Sequence, residues 1–270
     1  MTGFTLVPLA QSQTQRLRNR LRASQLRIGR LQWRQQRGGL NRVVQASVAN
    51  LAEVALFGGL TDAERAALQA RLRRRRYRKG ATVFVNGESG RDLHLIESGS
   101  VKICMTTADG KEITLAILGP GEFFGELALL DGEPRSSDAV TMEDCQFLLL
   151  ERNEFMHFID EHPSIALRVI EVLSRRLRAN NELVQDAAFF DVAARLARVI
   201  LRLADSLGHA EGNGVTISRR LTQNDLAGMI GTTRESVNKW LAFYERQGLV
   251  ERRGGLIRVL NADGLRKRIY

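Results

Sequence analysis

The stretch Gly119-Pro120-Gly121-Glu122-Phe123-Phe124-Gly125-Glu126-Leu127-Ala128-Leu129-Leu130, followed by Pro134-Arg135-Ser136-Ser137, carries a dense chemical pattern. Gly119 and Gly121 permit positive φ angles and close backbone approach, and Gly125 opens a run, Glu126 to Leu130, of good helical propensity. A glycine leading into a helical turn presents unpaired N–H groups at the positive end of a dipole, an arrangement that favours an anion. Arg135 adds a planar cation, and Ser136 and Ser137 add two hydroxyls. Glu126 is out of place beside an anion unless it accepts from ligand hydroxyls or pairs with a cation. A sugar phosphate meets both demands. The competing reading is a glycine-rich turn braced by an ion pair, and the rest of the chain decides between the two.

The 270 residues suffice for two domains with cores of their own, and a 44% hydrophobic fraction is ordinary for a soluble protein. No run approaches the ~18 apolar residues of a membrane span, and no secretory hydrophobic region follows a charged start. Cys104 and Cys145 stand far apart without a CxxC, so neither a disulfide framework nor an iron–sulfur or zinc site is indicated, and a reducing cytoplasm is the expected location. His94, His157, His162 and His209 lack metal-ligand spacing. There is no nucleophile elbow, Walker loop or paired-acid constellation, so an enzyme is not expected.

The net charge of +10 is unevenly placed. Residues 1–50 hold nine arginines and no acid, leaving 31 basic against 30 acidic side chains in the other 220 residues. DNA binding must therefore be argued from local patches rather than from overall charge. Leu17, Leu21, Ile28 and Leu31 have rough helical spacing between arginines, which suits a basic amphipathic helix on nucleic acid or an anionic surface. The preferred reading of residues 1–50 is a flexible, solvated extension or sequence upstream of the true start, since nothing there specifies a packed core. Arg-rich and acid-free, the segment also resembles an organellar transit peptide, a reading that the motifs further along the chain disfavour.

From Leu51 the pattern is globular. Thr61 can cap a helix with Glu64 in the capping-box position, and the basic run Arg71 to Lys79 is read as the solvated end of that helix. Thr82–Val85, Leu93–Ile96, Val101–Met105, Ile113–Ile117 and Phe147–Leu150 are short strand candidates punctuated by Asn86-Gly87, Ser98-Gly99 and Asp109-Gly110, the spacing of an antiparallel barrel or jelly roll. A long helix then starts near Pro163, with Ala166, Ile170, Leu173, Leu177, Asn180, Val184 and Ala187 alternating by four and three. That is a coiled-coil seam of three heptads, along which two chains are expected to meet. Asn180 interrupts it either to fix the dimer's register or to face a ligand.

The stretch Thr222 to Leu241 reads as helix, glycine turn, helix. Thr222 and Asp225 start the first helix, Gly231 makes the turn, Thr233 caps the second, and Leu226, Ile230, Val237 and Leu241 form the shared core. Arg234, Glu235, Asn238 and Lys239 then project where they can enter a major groove, Arg and Lys suiting guanine and Glu cytosine. Leu249 to Leu260 closes the domain as a hairpin with a Gly254-Gly255 turn, a wing in which Arg252 or Arg253 can touch phosphate.

Over roughly residues 52–270 the chain resembles the cyclic AMP receptor protein (catabolite activator) branch of the Crp/Fnr regulators, on G-E-L-A-L-L, then P-R-S-S, and on R-E-S-V-N-K after G-T-T. The resemblance implies an α+β fold: an N-terminal β jelly-roll cyclic-nucleotide-binding domain at 51–162, a dimerisation helix at 163–188 and a C-terminal winged helix-turn-helix domain at 189–270. It also implies a homodimer that binds a palindromic double-stranded operator and works with RNA polymerase. Gly125, Glu126, Leu127, Ala128, Arg135, Ser136 and Ser137 would form the phosphate cassette, with Glu126 on the ribose 2′-hydroxyl and Arg135 and Ser136 on the cyclic phosphate. Arg176 would meet Glu126, and Asn180 and Asn181 would reach the base in their own and the partner subunit. The hinge would lie at Phe190-Asp191. Thr222, Gln223 and Thr233 join Arg234, Glu235, Asn238 and Lys239 as expected DNA contacts. The expected ligand is cyclic AMP; cyclic GMP is the alternative, because Ser136 after Arg135 also suits a guanine edge. A ligand-free dimerisation barrel, or a sensor of another effector, are the competing readings of the same fold.

Overall fold

The computed structural model describes Leu51, Val54, residues 56–108 and residues 110–269; the expectations for residues 1–50 lie outside these. The first helix, α1 (Asp62–Arg71), begins as its sequence predicts. Thr61 Oγ1 accepts from the Glu64 amide at 3.3 Å while Glu64 Oε2 accepts from the Thr61 amide at 2.6 Å, a reciprocal capping box. The basic run that follows is a correction. Instead of prolonging the helix's solvated end, Arg73–Tyr77 forms strand β1, antiparallel to Cys145–Glu151. Its arginines are exposed, and Arg74 grips Glu97 with Nε and Nη2 at 2.8 and 2.6 Å. Four consecutive charges on an outer strand discourage further pairing, which explains how so polar a run can be β-structure.

The remaining barrel strands are β2 (Thr82–Phe84), β3 (Asp92–Ser98), β4 (Val101–Thr106), β5 (Glu112–Leu118), β6 (Phe123–Phe124), β7 (Asp138–Thr141) and β8 (Cys145–Glu151). They form two four-stranded antiparallel sheets, ordered β1-β8-β3-β6 and β2-β7-β4-β5. Phe84, Ile96, Val101, Leu118, Phe124, Ala139, Cys145 and Phe147 fill the space between the sheets. Strands β6 and β7 escape the sequence pattern because they are two and four residues long. They flank the cassette and hold α2 (Leu127–Leu130) and Arg135 between them.

Helix α3 (Arg152–Glu161) leads into α4 (Pro163–Phe189), 27 residues long, with proline in its first turn, where no amide partner is lost. Ile165 and Val169 are buried against the barrel, while Ile170, Leu177 and Val184 are 57%, 62% and 68% exposed. The expected seam thus divides. Leu173 packs inward, and the heptad-spaced trio forms an apolar stripe that no described residue covers. Phe190 is extended, and Asp191 caps α5 (Val192–Leu207) by accepting from the Ala194 amide at 2.8 Å, so the chain bends at the anticipated aromatic-Asp step.

After α5 comes a hairpin, β9 (Gly208–Glu211) and β10 (Gly214–Ile217). Helices α6 (Gln223–Ile230) and α7 (Arg234–Arg246) are joined at Gly231, which adopts φ 60°, ψ 51°. Leu226, Ile230, Val237 and Leu241 are all buried between them, and the Tyr244 hydroxyl donates to the Ala193 carbonyl at 2.7 Å. The wing, β11 (Val250–Arg253) and β12 (Leu256–Val259), turns through Gly254 and Gly255 at φ 60° and 82°, which demands glycine or its near equivalents. Helix α8 (Ala262–Arg266) is the last element of the described residues. Gly228 lets α6 approach β5 closely: a Cβ there would lie 2.7 Å from Thr114 Oγ1 and 2.9 Å from Glu112 Oε1.

Candidate functional site

Phe124 to Ala128 and Arg135 to Ser137 of the opening stretch line one cavity of about 380 Å³, a size suited to a small organic ligand. Gly125 (φ +82°) and Gly90 are what allow Arg135 to lie where it does. A Cβ on Gly90 would sit 2.7 Å from the guanidinium, and one on Gly125 would clash with Nη1. Arg135 Nη1 donates to the Gly125 carbonyl at 2.6 Å and Nη2 to the Asp92 carbonyl at 2.9 Å, tying the cassette to β3. The guanidinium rests on the Phe84 ring, 4.3 Å from its centroid.

Arg135 is only 6% exposed, its Nε has no hydrogen-bond partner, and no carboxylate pairs with it among the described residues. Burial pushes the Arg135 pKa down even though the charges of Asp92, Glu126 and Glu88 act against that; a buried cation without an ion-paired carboxylate is costly, and here it borders an open cavity. Glu126, the one cassette acid, is engaged elsewhere. Its Oε1 accepts from Arg176 Nη1 at 2.8 Å, the expected pair between barrel and long helix, and Arg176 also donates to the Phe123 carbonyl. Leu127, Ala128, Ser136, Ser137 and Asn180 line the same cavity; Ser137 is buried and Ser136 exposed. Asn181 is exposed and does not line it, so within one subunit only one of the two asparagines reaches the site.

Several contributors escaped the sequence reading. Phe84, Ile103, Leu115, Leu173 and Leu177 supply the apolar wall, and only their chain-distant packing reveals them. His94 is another. It is 5% exposed, stacked on Phe124 with ring centroids 4.8 Å apart, and burial, with the Arg135 charge adding, pushes its pKa down to about 3. The folded protein therefore keeps His94 neutral, whereas an unfolded chain protonates it near pH 6.5. Between those values the unfolded state binds one more proton, so stability falls as pH drops from about 6.5 towards 3, at about 1.4 kcal/mol per pH unit. His94→Phe is expected to remove that slope. Urea unfolding at pH 6.5, 5.5 and 4.5 measures it, and an unchanged pH dependence would show that His94 is not the group responsible. Burial likewise pushes the Cys104 and Cys145 thiols up to about 12 and about 11, which keeps them unreactive.

A second surface lies on α6 and α7. Thr222 caps α6 in a reciprocal box with Asp225, and Thr233 Oγ1 accepts from the Ser236 amide at 3.3 Å. Arg234, Glu235, Asn238 and Lys239 are exposed on the first turns of α7. Arg234 Nε donates to Gln223 Oε1 at 3.3 Å, and Gln223 Nε2 to Asn238 Oδ1 at 3.1 Å, so these three side chains present a single polar face. Of the two wing arginines, Arg252 is held by Glu245 through Nε (2.8 Å) and Nη2 (2.6 Å) and serves as a brace, leaving Arg253 as the exposed cation. No group of three metal-ligating side chains occurs among the described residues, and no described helix is long and apolar enough to cross a membrane.

Comparison with known proteins agrees with this division. Residues 74–162 match the cyclic nucleotide-binding domain model, and residues 194–268 the Crp-like helix-turn-helix domain model. A CRP-like cAMP-activated global transcriptional regulator from Mycobacterium tuberculosis is 36% identical over 218 residues, 81% of this chain and 97% of its own. Among solved structures, a CooA mutant from Carboxydothermus hydrogenoformans is 25% identical with a TM-score of 0.69, covering 84% of this chain and 98% of that one. The c-di-GMP responsive global regulator CLP of Xanthomonas campestris is 26% identical with a TM-score of 0.65, covering 72% and 96%. With both domain models in this order and a relative of such identity over nearly its full length, the chain belongs to the Crp/Fnr family of transcription regulators.

Proposed function

We propose that the protein is a homodimeric, cytoplasmic transcription regulator that binds cyclic AMP in each barrel and a palindromic operator with its paired α7 helices. The domain division that goes with this reading is 51–162, 163–188 and 189–270. One observation carries the ligand assignment: a buried Arg135 with an unpartnered Nε and no carboxylate, facing a cavity of about 380 Å³. A single such cation suits one phosphate, and so a cyclic mononucleotide rather than a dinucleotide, although the similar Xanthomonas regulator is described as c-di-GMP responsive. Ser136 or Ser137 joins Arg135 on the phosphate, Glu126 accepts from the ribose 2′-hydroxyl, and Asn180 meets the base, with the partner's exposed Asn181 completing it. Cyclic GMP is the nearest alternative, since an asparagine amide pairs with either purine. RNA polymerase is the expected protein partner.

Because Glu126 joins Arg176 on α4, a ligand that engages Glu126 acts directly on the helix leading to the hinge. Ligand occupancy then favours one seam arrangement, placing the two α7 helices about 34 Å apart for successive major grooves. By linkage, operator binding raises nucleotide affinity by the same factor. The test is a gel shift on a palindromic duplex selected from a random library, with cyclic AMP, cyclic GMP or no nucleotide. Tight binding with cyclic AMP alone is expected; binding indifferent to both nucleotides sinks the ligand reading. On the same duplex, Arg234→Ala is expected to cost about 1–3 kcal/mol and to relax the base preference at one position of each half-site.

A further inference from the structure

The winged domain carries a second concentration of positive charge, beside the groove-reading face of α7. A cleft of about 420 Å³ opens between the start of α5, the second half of α7 and the segment after α8. Lys239, Arg246, Lys267 and Arg268 line it, against a single acid, Asp191, whose Oδ1 caps α5. All four cations are exposed, and none has a carboxylate partner among the described residues. Arg198, Arg202, Arg252, Arg258 and Arg266 of the same domain are each ion-paired, whereas among the described residues the four cations of the cleft lie together without such a pair. Charges left unpaired together are poorly explained by folding stability, to which they add mutual repulsion.

The cleft is also preformed. The Tyr244 hydroxyl joins α7 to the Ala193 carbonyl at 2.7 Å, fixing two walls. Arg268 lies over the Phe243 ring at 5.2 Å and Lys239 over the Trp240 ring at 6.0 Å, so both cations rest on aromatic faces. Lys239 belongs to both surfaces: it lies one turn beyond Glu235 on the face assigned to the major groove, and it borders the cleft. A side chain that borders both the groove-reading face and the cleft makes the two surfaces contiguous.

We propose that this cleft is a second backbone-phosphate contact for the same DNA, made by Lys267, Arg268 and Arg246 and joined to the groove-reading face through Lys239. The proposal rests on α7 being the recognition helix. Its chemistry is sequence-independent: cations on phosphodiester oxygens position the duplex and release counter-ions.

The experiment is fluorescence anisotropy of the full chain with cyclic AMP, titrated onto a labelled 40-base-pair duplex carrying the selected palindrome and onto a scrambled duplex, across 50–300 mM KCl. In Lys267→Ala/Arg268→Ala, the slope of log affinity against log salt is expected to become shallower by about 0.9 per lost contact on both duplexes, with their affinity ratio unchanged. The charge-retaining Lys267→Arg/Arg268→Lys variant should keep the parent slope. Arg78→Ala/Lys79→Ala, which removes two exposed cations from the barrel, should also leave the slope unaltered. A parent-like slope in Lys267→Ala/Arg268→Ala, or an equal loss in the barrel control, overturns the proposal. Failure of the α7 reading looks different, because Arg234→Ala would then leave the preference for the selected duplex intact.

Discussion

Replacing Arg135 by glutamine is expected to weaken cyclic AMP binding by about thirtyfold or more in isothermal titration calorimetry. The guanidinium is 6% exposed and lacks a carboxylate, so the bound phosphate would be its counter-ion. Deleting one partner of a buried, hydrogen-bonded charge pair costs about 2–5 kcal/mol, and each 1.4 kcal/mol is tenfold in affinity. Arg135 also has a structural share. It joins the Gly125 and Asp92 carbonyls and covers Phe84, so the glutamine variant is expected to melt earlier as well. Arg135→Lys separates the two roles: it keeps the charge but not the planar fork that reaches both carbonyls and the cavity. Lysine should bind nucleotide with an affinity between that of arginine and glutamine. A folded Arg135→Gln protein that binds within threefold of the parent would remove the cassette from the ligand site and favour a ligand-free barrel.

The parts of the fold legible in the sequence are those encoded over a few residues. Capping boxes at Thr61 and Thr222, the left-handed Gly231 and the Gly254-Gly255 turn are local geometries with few solutions, and each stands where the sequence places it. The cassette is legible for the same reason, because Gly125, Glu126, Arg135 and the serines lie within thirteen positions. Pairing across long separations leaves weaker marks. Arg73–Tyr77 has the composition of a solvated face and becomes a strand only because β8, some seventy residues later, offers a free edge. Gly90 looks like an ordinary turn residue until Arg135 is seen packed against it. The approach of α6 to β5 at Gly228, and the burial of His94 beneath the cassette, are likewise products of tertiary packing with no periodic signature. Asn180 and Asn181 show the limit from the other side: a helix turns consecutive side chains about 100° apart, Asn180 lines the cavity of its own subunit, and the contact to the partner subunit implied by the resemblance for this pair lies beyond what one chain shows.

The double substitution Ile170→Glu/Val184→Glu is expected to convert the protein to a monomer in sedimentation velocity and to lower operator affinity by about 10²–10⁴-fold. Ile170, Leu177 and Val184 are 57%, 62% and 68% exposed, recur every seven residues and share one face of α4, while Ile165 and Val169 on the other face are buried against the barrel. Burying such a side chain is worth about 1.5–3 kcal/mol, and a two-fold seam buries each one twice. Two glutamates per helix would instead oppose like charges across a dry interface, where pairing of the helices cannot survive. Neither position lines the nucleotide cavity, so Arg135, Glu126 and Asn180 stay in place and a monomer should retain measurable nucleotide binding, reduced by the loss of the partner's Asn181. DNA affinity falls much further because the second half-site no longer binds intramolecularly. If the double variant sediments as a dimer, the stripe is not the interface, and the paired-helix account of operator recognition falls with it.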